Sequence, residues 1–353
     1  MENLFLRDST PSSSFKAKFV IILIGSVLVL GIGWVVGYSS IFGAPESKAE
    51  TERFTVQLGQ NTVQAKLALK EQGFVKSNWG IGFALKGSEI KPGAYQISKS
   101  MTAWQLADAL RKGPYMKWIV IPEGLRKEQI AELISKELGW DEEAKEKWVV
   151  VYTSMKYDEM EGMYFPDTYL IPTDEDQLKV AERLRAKFNE KFQSYANEAL
   201  KQNIKWTTAI RLASVVQREA AGKDDMPLIA GILWNRLLKD MKLEVDATIQ
   251  YIRDDQIHYG EARYDKQPQN YTSEGGWWAP IKVEDKDIPS PYNTYRNKGL
   301  PPHPISNPGI DAIKAVLYPE QTECLFYLHD KSKVVRCAKT FEGHQANIAA
   351  YLK

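Results

Sequence analysis

The chain has 353 residues, a formal net charge of +1, 44% hydrophobic residues and 26% charged residues. That balance excludes a disordered chain, and the length exceeds what one ordinary core fills, so two folded domains are expected. Near-neutral charge without a basic block excludes nucleic acid as a partner, because phosphate binding needs a concentrated cationic face.

In chain order, the first feature is FVIILIGSVLVLGIGWVVGY, Phe19–Tyr38, which runs 20 residues without a charge. At a helical rise of about 1.5 Å per residue it covers about 30 Å, the thickness of a bilayer core. The run is too long for the apolar part of a cleaved signal peptide. A retained transmembrane helix is therefore expected at 19–38. Arg7, Lys16 and Lys18 precede it, and Glu46, Glu50 and Glu52 follow it. Lys and Arg stay on the cytoplasmic side, so 1–18 reads as a cytoplasmic tail and the body of the protein as extracytoplasmic. Residues 39–52 form a short polar linker.

From 53 to 140 a strand–loop–helix pattern recurs three times, in RFTVQLGQNTVQAKLALKEQG, GAYQISKSMTAWQLADALRKG and KWIVIPEGLRKEQIAELISKELG. Each repeat closes on Gly, as helix C-termini do, and Thr102 with Gln105 has capping-box spacing. A small α+β module is expected there. Residues 141–353 read as a larger, mainly helical α+β domain. Asp141–Trp148 is a charged, solvated connector, and EGMYFPDTYLIP, Glu161–Pro172, is an extended segment. Helices are expected at Asp176–Ala199, Thr207–Ala221, Pro227–Met241 and Pro308–Tyr318, with Asp225 and Asn307 ahead of the first-turn prolines. Cys324 and Cys337 flank a hairpin with its turn at Asp330–Lys333. They form either a cross-strand disulfide or two buried thiols.

Three places concentrate polar groups suited to chemistry. In RLASVVQREAAG, Arg211–Gly222, the residues Leu212, Val215 and Val216 mark an apolar helix face, and Arg211, Ser214 and Arg218 the wet one. Glu219 lies three, four and seven residues after Val216, Val215 and Leu212, so it points to the apolar side. Desolvation raises the pKa of such a carboxyl, as a general acid requires. An ion pair with Arg236, or a bond to a neighbouring helix end, explains the position equally well. The second place is IPSPYNTYRNKGLPPHPISNPG, Ile288–Gly309. Its prolines exclude helix and central strand, and a loop of that length in a compact domain is usually functional. Its Asn, Ser and Thr can bond sugar hydroxyls, and Tyr292 and Tyr295 can stack on sugar faces. A rigid surface loop is the plainer alternative. The third is LEVDATIQY, Leu243–Tyr251, where Asp246 fits a helix N-cap. The four histidines (258, 303, 329 and 344) have no metal-binding spacing, and no nucleotide-binding or GxSxG motif occurs.

SPYNTY (Ser290–Tyr295), GLPP (Gly299–Pro302), NPG (Asn307–Gly309), EGMYFPDTY (Glu161–Tyr169) and ASVVQREA (Ala213–Ala220) together resemble the YceG-like family. These are the endolytic murein transglycosylases of MltG type. The resemblance implies a single-pass protein of the inner membrane, with a small LysM-like α+β module at 53–140 and a periplasmic catalytic domain at 141–353. It implies cleavage of MurNAc-β-1,4-GlcNAc bonds within peptidoglycan strands to leave 1,6-anhydro-MurNAc ends, near peptidoglycan synthases. Glu219 matches the family's catalytic glutamate. Gln217, Asn235, Asp246, Tyr251, Ser290, Tyr292, Asn293, Tyr295 and Asn307 are the expected substrate-binding residues, and no metal or other cofactor is expected. One strong carboxylate suits a transglycosylase, whereas ordinary glycosidases use two. A non-catalytic peptidoglycan-binding scaffold, and a muramidase-type hydrolase using Asp246 or another carboxylate, are the alternatives.

Four departures from the family pattern stand out. Gln217 occupies a position that is Glu in many relatives, which removes a like charge near Glu219. His303 replaces the Gly of LPPGP, Ala247 a usual Pro, and Ile257–Asp287 is longer. Within that segment Trp277 and Trp278 either extend a sugar groove, dip into lipid headgroups, or belong to a packed hairpin cap.

Overall fold

The computed structural model describes residues 13–155, 158–159, 161–259 and 276–352. It is a mixed α+β protein in two compact units, Met1–Trp118 and Ile119–Lys353. The first unit begins with helix α1, Ser13–Phe42, of which Val20–Phe42 is long and apolar enough to cross a membrane. Strand β1 (Thr51–Val56) pairs antiparallel with β2 (Gly93–Ser98), and β2 pairs antiparallel with β3 (Met116–Val120). Helices α2 (Thr62–Glu71), α3 (Asn78–Ala84) and α4 (Ala103–Arg111) complete the unit. The Thr102–Gln105 capping box is formed, and Asn61 with Gln64 makes a second one on α2. Alternating strand residues Phe54, Val56, Tyr95 and Ile97 meet Leu69, Ile81, Leu85, Leu106 and Leu110 from the helices in one core.

The unit boundary falls inside β3. The third repeat's helix, α5 (Lys127–Leu138), belongs to the second unit, not to the small module that the repeats suggested. Its Ile130, Ile134 and Leu138 pack with Trp148, Tyr164, Tyr169, Ile171 and Leu184. Helix α6 (Glu142–Lys147) is solvated, as its charges require. Trp148, expected in that connector, is instead fully buried at the start of a π-helical turn, Trp148–Tyr152. Short strands β4 (Ser154–Met155) and β5 (Asp158–Glu159) pair, and β6 (Thr168–Pro172) follows.

The rest of the unit is largely helical. Helices α7 (Gln177–Lys201), α8 (Trp206–Glu219), α9 (Met226–Leu238), α10 (Asp246–Tyr259) and α11 (Ile310–Leu317) precede a β7–β8 hairpin (Phe326–His329 and Val335–Ala338) and α12 (Phe341–Tyr351). Helix α8 is central, packing against α7, α9, α10 and α11. Leu212, Val215 and Val216 are fully buried, as their spacing requires. Ser214, expected on a wet face, is also fully buried, because the proline-rich loop covers it. Its hydroxyl accepts the Ile305 N–H at 3.0 Å, and its carbonyl accepts the Ser306 hydroxyl at 3.0 Å.

Asn307 does not cap α11, whose N-cap is Gly309. It is fully buried and ties three segments together. Its side-chain oxygen accepts the Tyr164 N–H, and its amide donates to the Leu125 carbonyl and, at 2.6 Å, to Glu161. Glu161 also accepts the Lys127 N–H. Burial, with the neighbouring Glu128, outweighs these bonds and the cations Lys127 and Arg126, and pushes the Glu161 pKa up to about 7. A carboxyl raised in the folded state holds a proton that the unfolded chain releases at the same pH. Its contribution to stability is therefore present below the ordinary carboxylate pKa and lost as pH rises through about 7. Chemical denaturation across that window is expected to show falling stability with rising pH, with a flatter profile for Glu161→Gln. An equally steep profile in the variant would assign the dependence to other groups.

Candidate active site

Glu219 is the last residue of α8, half-buried, and its carboxyl is held by two other elements. From β7, the Tyr327 hydroxyl donates to Oε2 at 2.6 Å. From the first turn of α10, the Ala247 N–H also bonds the carboxyl, while Asp246 beside it contributes a negative charge. Desolvation is the largest influence and raises the Glu219 pKa. The Tyr327 bond opposes it, Asp246 adds to it, and the Ala247 N–H and His329 oppose it. The same enclosure holds the Tyr327 phenol strongly protonated, through burial and the charge of Glu219. Glu219 is thus a carboxyl biased toward its neutral form and held in place by one hydroxyl and one helix N-terminus.

Of the two structural alternatives for Glu219, the helix-end bond is realised and the Arg236 pair is not. Arg236 donates to the carbonyls of Leu325, Lys242 and Leu243 and to the Glu244 carboxylate. Asp225 precedes α9, yet its side chain turns back. It accepts the N–H groups of Ala221 and Gly222, just beyond Glu219, and lies 2.7 Å from the His329 ring. The chain leaving α8 is fixed there, two and three residues after Glu219.

Of the expected sugar-binding residues, Asp246 and Tyr295 do meet at the site. The Tyr295 hydroxyl donates to Asp246 at 2.5 Å, and burial with that charge keeps the phenol protonated. Others serve the scaffold. Asn293 is fully buried, donates to the carbonyls of Lys286 and Ile288, and accepts the N–H groups of Tyr295 and Arg296. Ser290 accepts the Tyr292 N–H, and Tyr292 is buried with its ring 5.2 Å from that of Tyr251. Tyr251 is buried beneath the Arg126 guanidinium. The Asn235 amide donates to the carbonyls of Thr322 and Cys324. These polar groups are consumed by a loop that has no ladder of its own to satisfy its backbone.

Gln217 accepts the Gly309 N–H at 2.9 Å and bonds Glu123. A charge at 217 would therefore face Glu123, and the carboxylate that acts on Glu219 is Asp246. Burial and Asp311 raise the Glu123 pKa. His303 sits outside the left-handed region, so the loop needs no glycine there. Ala247 supplies an N–H that a proline would lack. Trp278 stacks against the Arg218 guanidinium at 4.1 Å and donates to Gln129 at 2.8 Å, while Trp277 donates to Glu132. Both indoles are packed, though most of Ile257–Asp287, including the expected hairpin cap, lies outside the described residues. Cys324 and Cys337 form a disulfide beside Tyr327, but Cys324 precedes β7 and is not Cys337's register partner, which is Tyr327. Among the described residues no group of His, Cys, Asp or Glu is arranged to hold a metal.

Sequence reasoning missed Tyr327, Asp225 and His329. They sit 108, 6 and 110 residues after Glu219, and no local period links them to it. The Tyr within a Cys-flanked hairpin was the one available signal.

These features define an α+β protein with a helix-terminal, desolvated carboxyl held by a tyrosine. The YceG-like family profile matches residues 54–350, and the chain belongs to that family. It is 26% identical over 379 aligned positions to an endolytic murein transglycosylase of Streptococcus pneumoniae, an alignment covering 96% of this chain and 66% of that protein. The chain thus spans just under two thirds of that relative's length. It is 25% identical over 350 positions to an endolytic murein transglycosylase of Bacillus subtilis, covering 92% and 91%. Among solved structures, a crystal structure of a yceG-like protein from Listeria monocytogenes superposes with a TM-score of 0.50 at 26% identity, over 85% of this chain and 99% of that one.

Replacing Asn293 by Ala strands two carbonyls and the Tyr295 N–H of the loop, while the Arg296 N–H keeps its bond to the Asn293 carbonyl. Urea denaturation is expected to show a loss on the order of 2–3 kcal/mol. A loss within error would return Asn293 to the role of a sugar ligand.

Proposed function

We propose that this chain is a membrane-anchored lytic transglycosylase that cleaves peptidoglycan strands internally, with Glu219 as its catalytic acid and base. The observation that carries this reading is the Glu219 carboxyl, placed at the end of α8, bonded by Tyr327 and desolvated so that its pKa is raised. Glu219 donates its proton to the glycosidic oxygen between MurNAc and GlcNAc as the bond from C1 breaks. The MurNAc 6-hydroxyl attacks C1 from within the same sugar and returns its proton to Glu219. No water is consumed, and the product ends in 1,6-anhydro-MurNAc. An internal nucleophile brings a high effective concentration, so a second carboxylate is not needed to activate water. Tyr327 and the Ala247 N–H orient the carboxyl between the two transfers. Asp246, held by Tyr295, places negative charge where positive charge develops at C1.

In this reading α1 crosses the inner membrane, with residues 1–18 cytoplasmic and the remainder periplasmic, close to the synthases that make new strands. The module beginning at residue 53 is LysM-like. A groove of about 600 Å³ there, lined by Gln60, Asn61, Thr62, Ser88 and Lys91 among others, suits a glycan segment. The domain from 141, together with the α5 segment that packs with it, is catalytic. Asp246 beside Glu219 also favours a second reading, hydrolysis of the same bond.

Digestion of purified glycan strands followed by mass spectrometry separates the readings. Anhydro ends are expected from the intact chain, with activity reduced about 100- to 10,000-fold in Glu219→Gln. Reducing ends would assign hydrolysis, intact strands would leave binding alone, and full activity in the variant would remove Glu219 from the chemistry.

A further inference from the structure

The end of α1 is built into the first unit. Phe42, its last residue, is buried against the Trp104 ring, stacked at 5.4 Å, and touches Trp79 at 5.8 Å and Phe83 at 6.0 Å. The Trp104 indole N–H donates to the Tyr38 hydroxyl at 3.0 Å. Gly80 makes the approach possible, since a Cβ there would collide with the Ile41 carbonyl. The first unit is therefore seated directly on the last turn of the apolar span.

Helix α3, NWGIGFA, has no charged residue, and it presents two large rings outward. Trp79 is 63% exposed and Phe83 58% exposed, four residues apart on one face and stacked at 5.6 Å. Rings of this size left in water form an apolar patch that marks a docking surface. The patch is continuous with Tyr38 and Phe42, so it lies level with the end of the span. Trp and Tyr concentrate at that depth, where an amphipathic ring meets headgroups. Exposed Lys76 and Lys86 flank α3 and can reach lipid phosphates, with Lys76 also donating to the Ser39 carbonyl.

We propose that α3 is a membrane-docking element, with Trp79 and Phe83 inserted among the lipid headgroups at the end of α1. Two attachments, the span and this face, then hold the first unit at a fixed height and tilt on the bilayer, where a lone tether would let it swing. The proposal rests on the reading of α1 as a transmembrane helix.

The test uses the full chain carrying fluorotryptophan, reconstituted in vesicles of phosphatidylethanolamine and phosphatidylglycerol. Single Trp→Phe variants assign the resonances of Trp34, Trp79 and Trp206, the last being 44% exposed at the start of α8. Lipids with a nitroxide deep in the acyl chain report the span through Trp34, and lipids with a nitroxide near the headgroup report α3. The expected result is a several-fold relaxation gain at Trp34 from the deep probe and at Trp79 from the shallow one, with Trp206 responding only to a water-soluble paramagnet. Trp34 responding while Trp79 behaves like Trp206 overturns the docking and leaves the anchor standing. No response at either overturns both.

Discussion

A buried carboxyl loses its hydration, and the protein must return part of that loss through hydrogen bonds or accept a neutral acid. At Glu219 the fold does some of each. Tyr327 and the Ala247 N–H favour the charged form, while desolvation and Asp246 favour the neutral one. Desolvation prevails and the pKa is raised, and three elements of the second unit set that environment. Helix α8, fully buried along 212–216, carries the carboxyl at its end, α10 aims its N-terminus at it, and the β7–β8 hairpin supplies the tyrosine.

That arrangement depends on the proline-rich loop in an unexpected way. The loop's asparagines look like ligands, yet Asn293 and Asn307 bond backbone groups that would otherwise be buried unpaired. Their effect on the site is indirect. Asn293 sets the position of Tyr295, which grips Asp246, and Asn307 ties the loop to Glu161 and Leu125. Ser214 closes the other side of the loop onto α8. Loop and helix thus fix each other, and the carboxyl at the end of α8 inherits the rigidity.

Features set by local period were legible in the sequence. The apolar span, the strand–helix repeats, the Thr102 capping box and the apolar face of α8 all follow from residues within a turn or two of one another. Glu219 was legible as an anomaly, a charge where the spacing called for oil. What surrounds it was not, because Tyr327 and Asp246 arrive from distant segments. Ser214 was misread for the same reason, since a polar residue opposite an apolar face is assigned to water until another segment is known to cover it. The third repeat likewise looked like its predecessors, although α5 finds its core partners in Trp148 and Tyr164. The expected like charge from position 217 was a similar error of adjacency. Two residues along a helix is slightly more than a half-turn, so Gln217 faces Gly309 and Glu123.

The central claim is that the Glu219 carboxyl has a raised pKa, tuned by Tyr327 and Asp246. Carbon-detected NMR titration of selectively labelled glutamate, assigned with Glu219→Gln, measures it directly in the free protein. The account requires Glu219 to titrate above ordinary glutamates, higher still in Tyr327→Phe, which removes a bond to the charged form, and lower in Asp246→Asn, which removes a like charge. Titration of Glu219 at or below the ordinary range in the intact chain would contradict it.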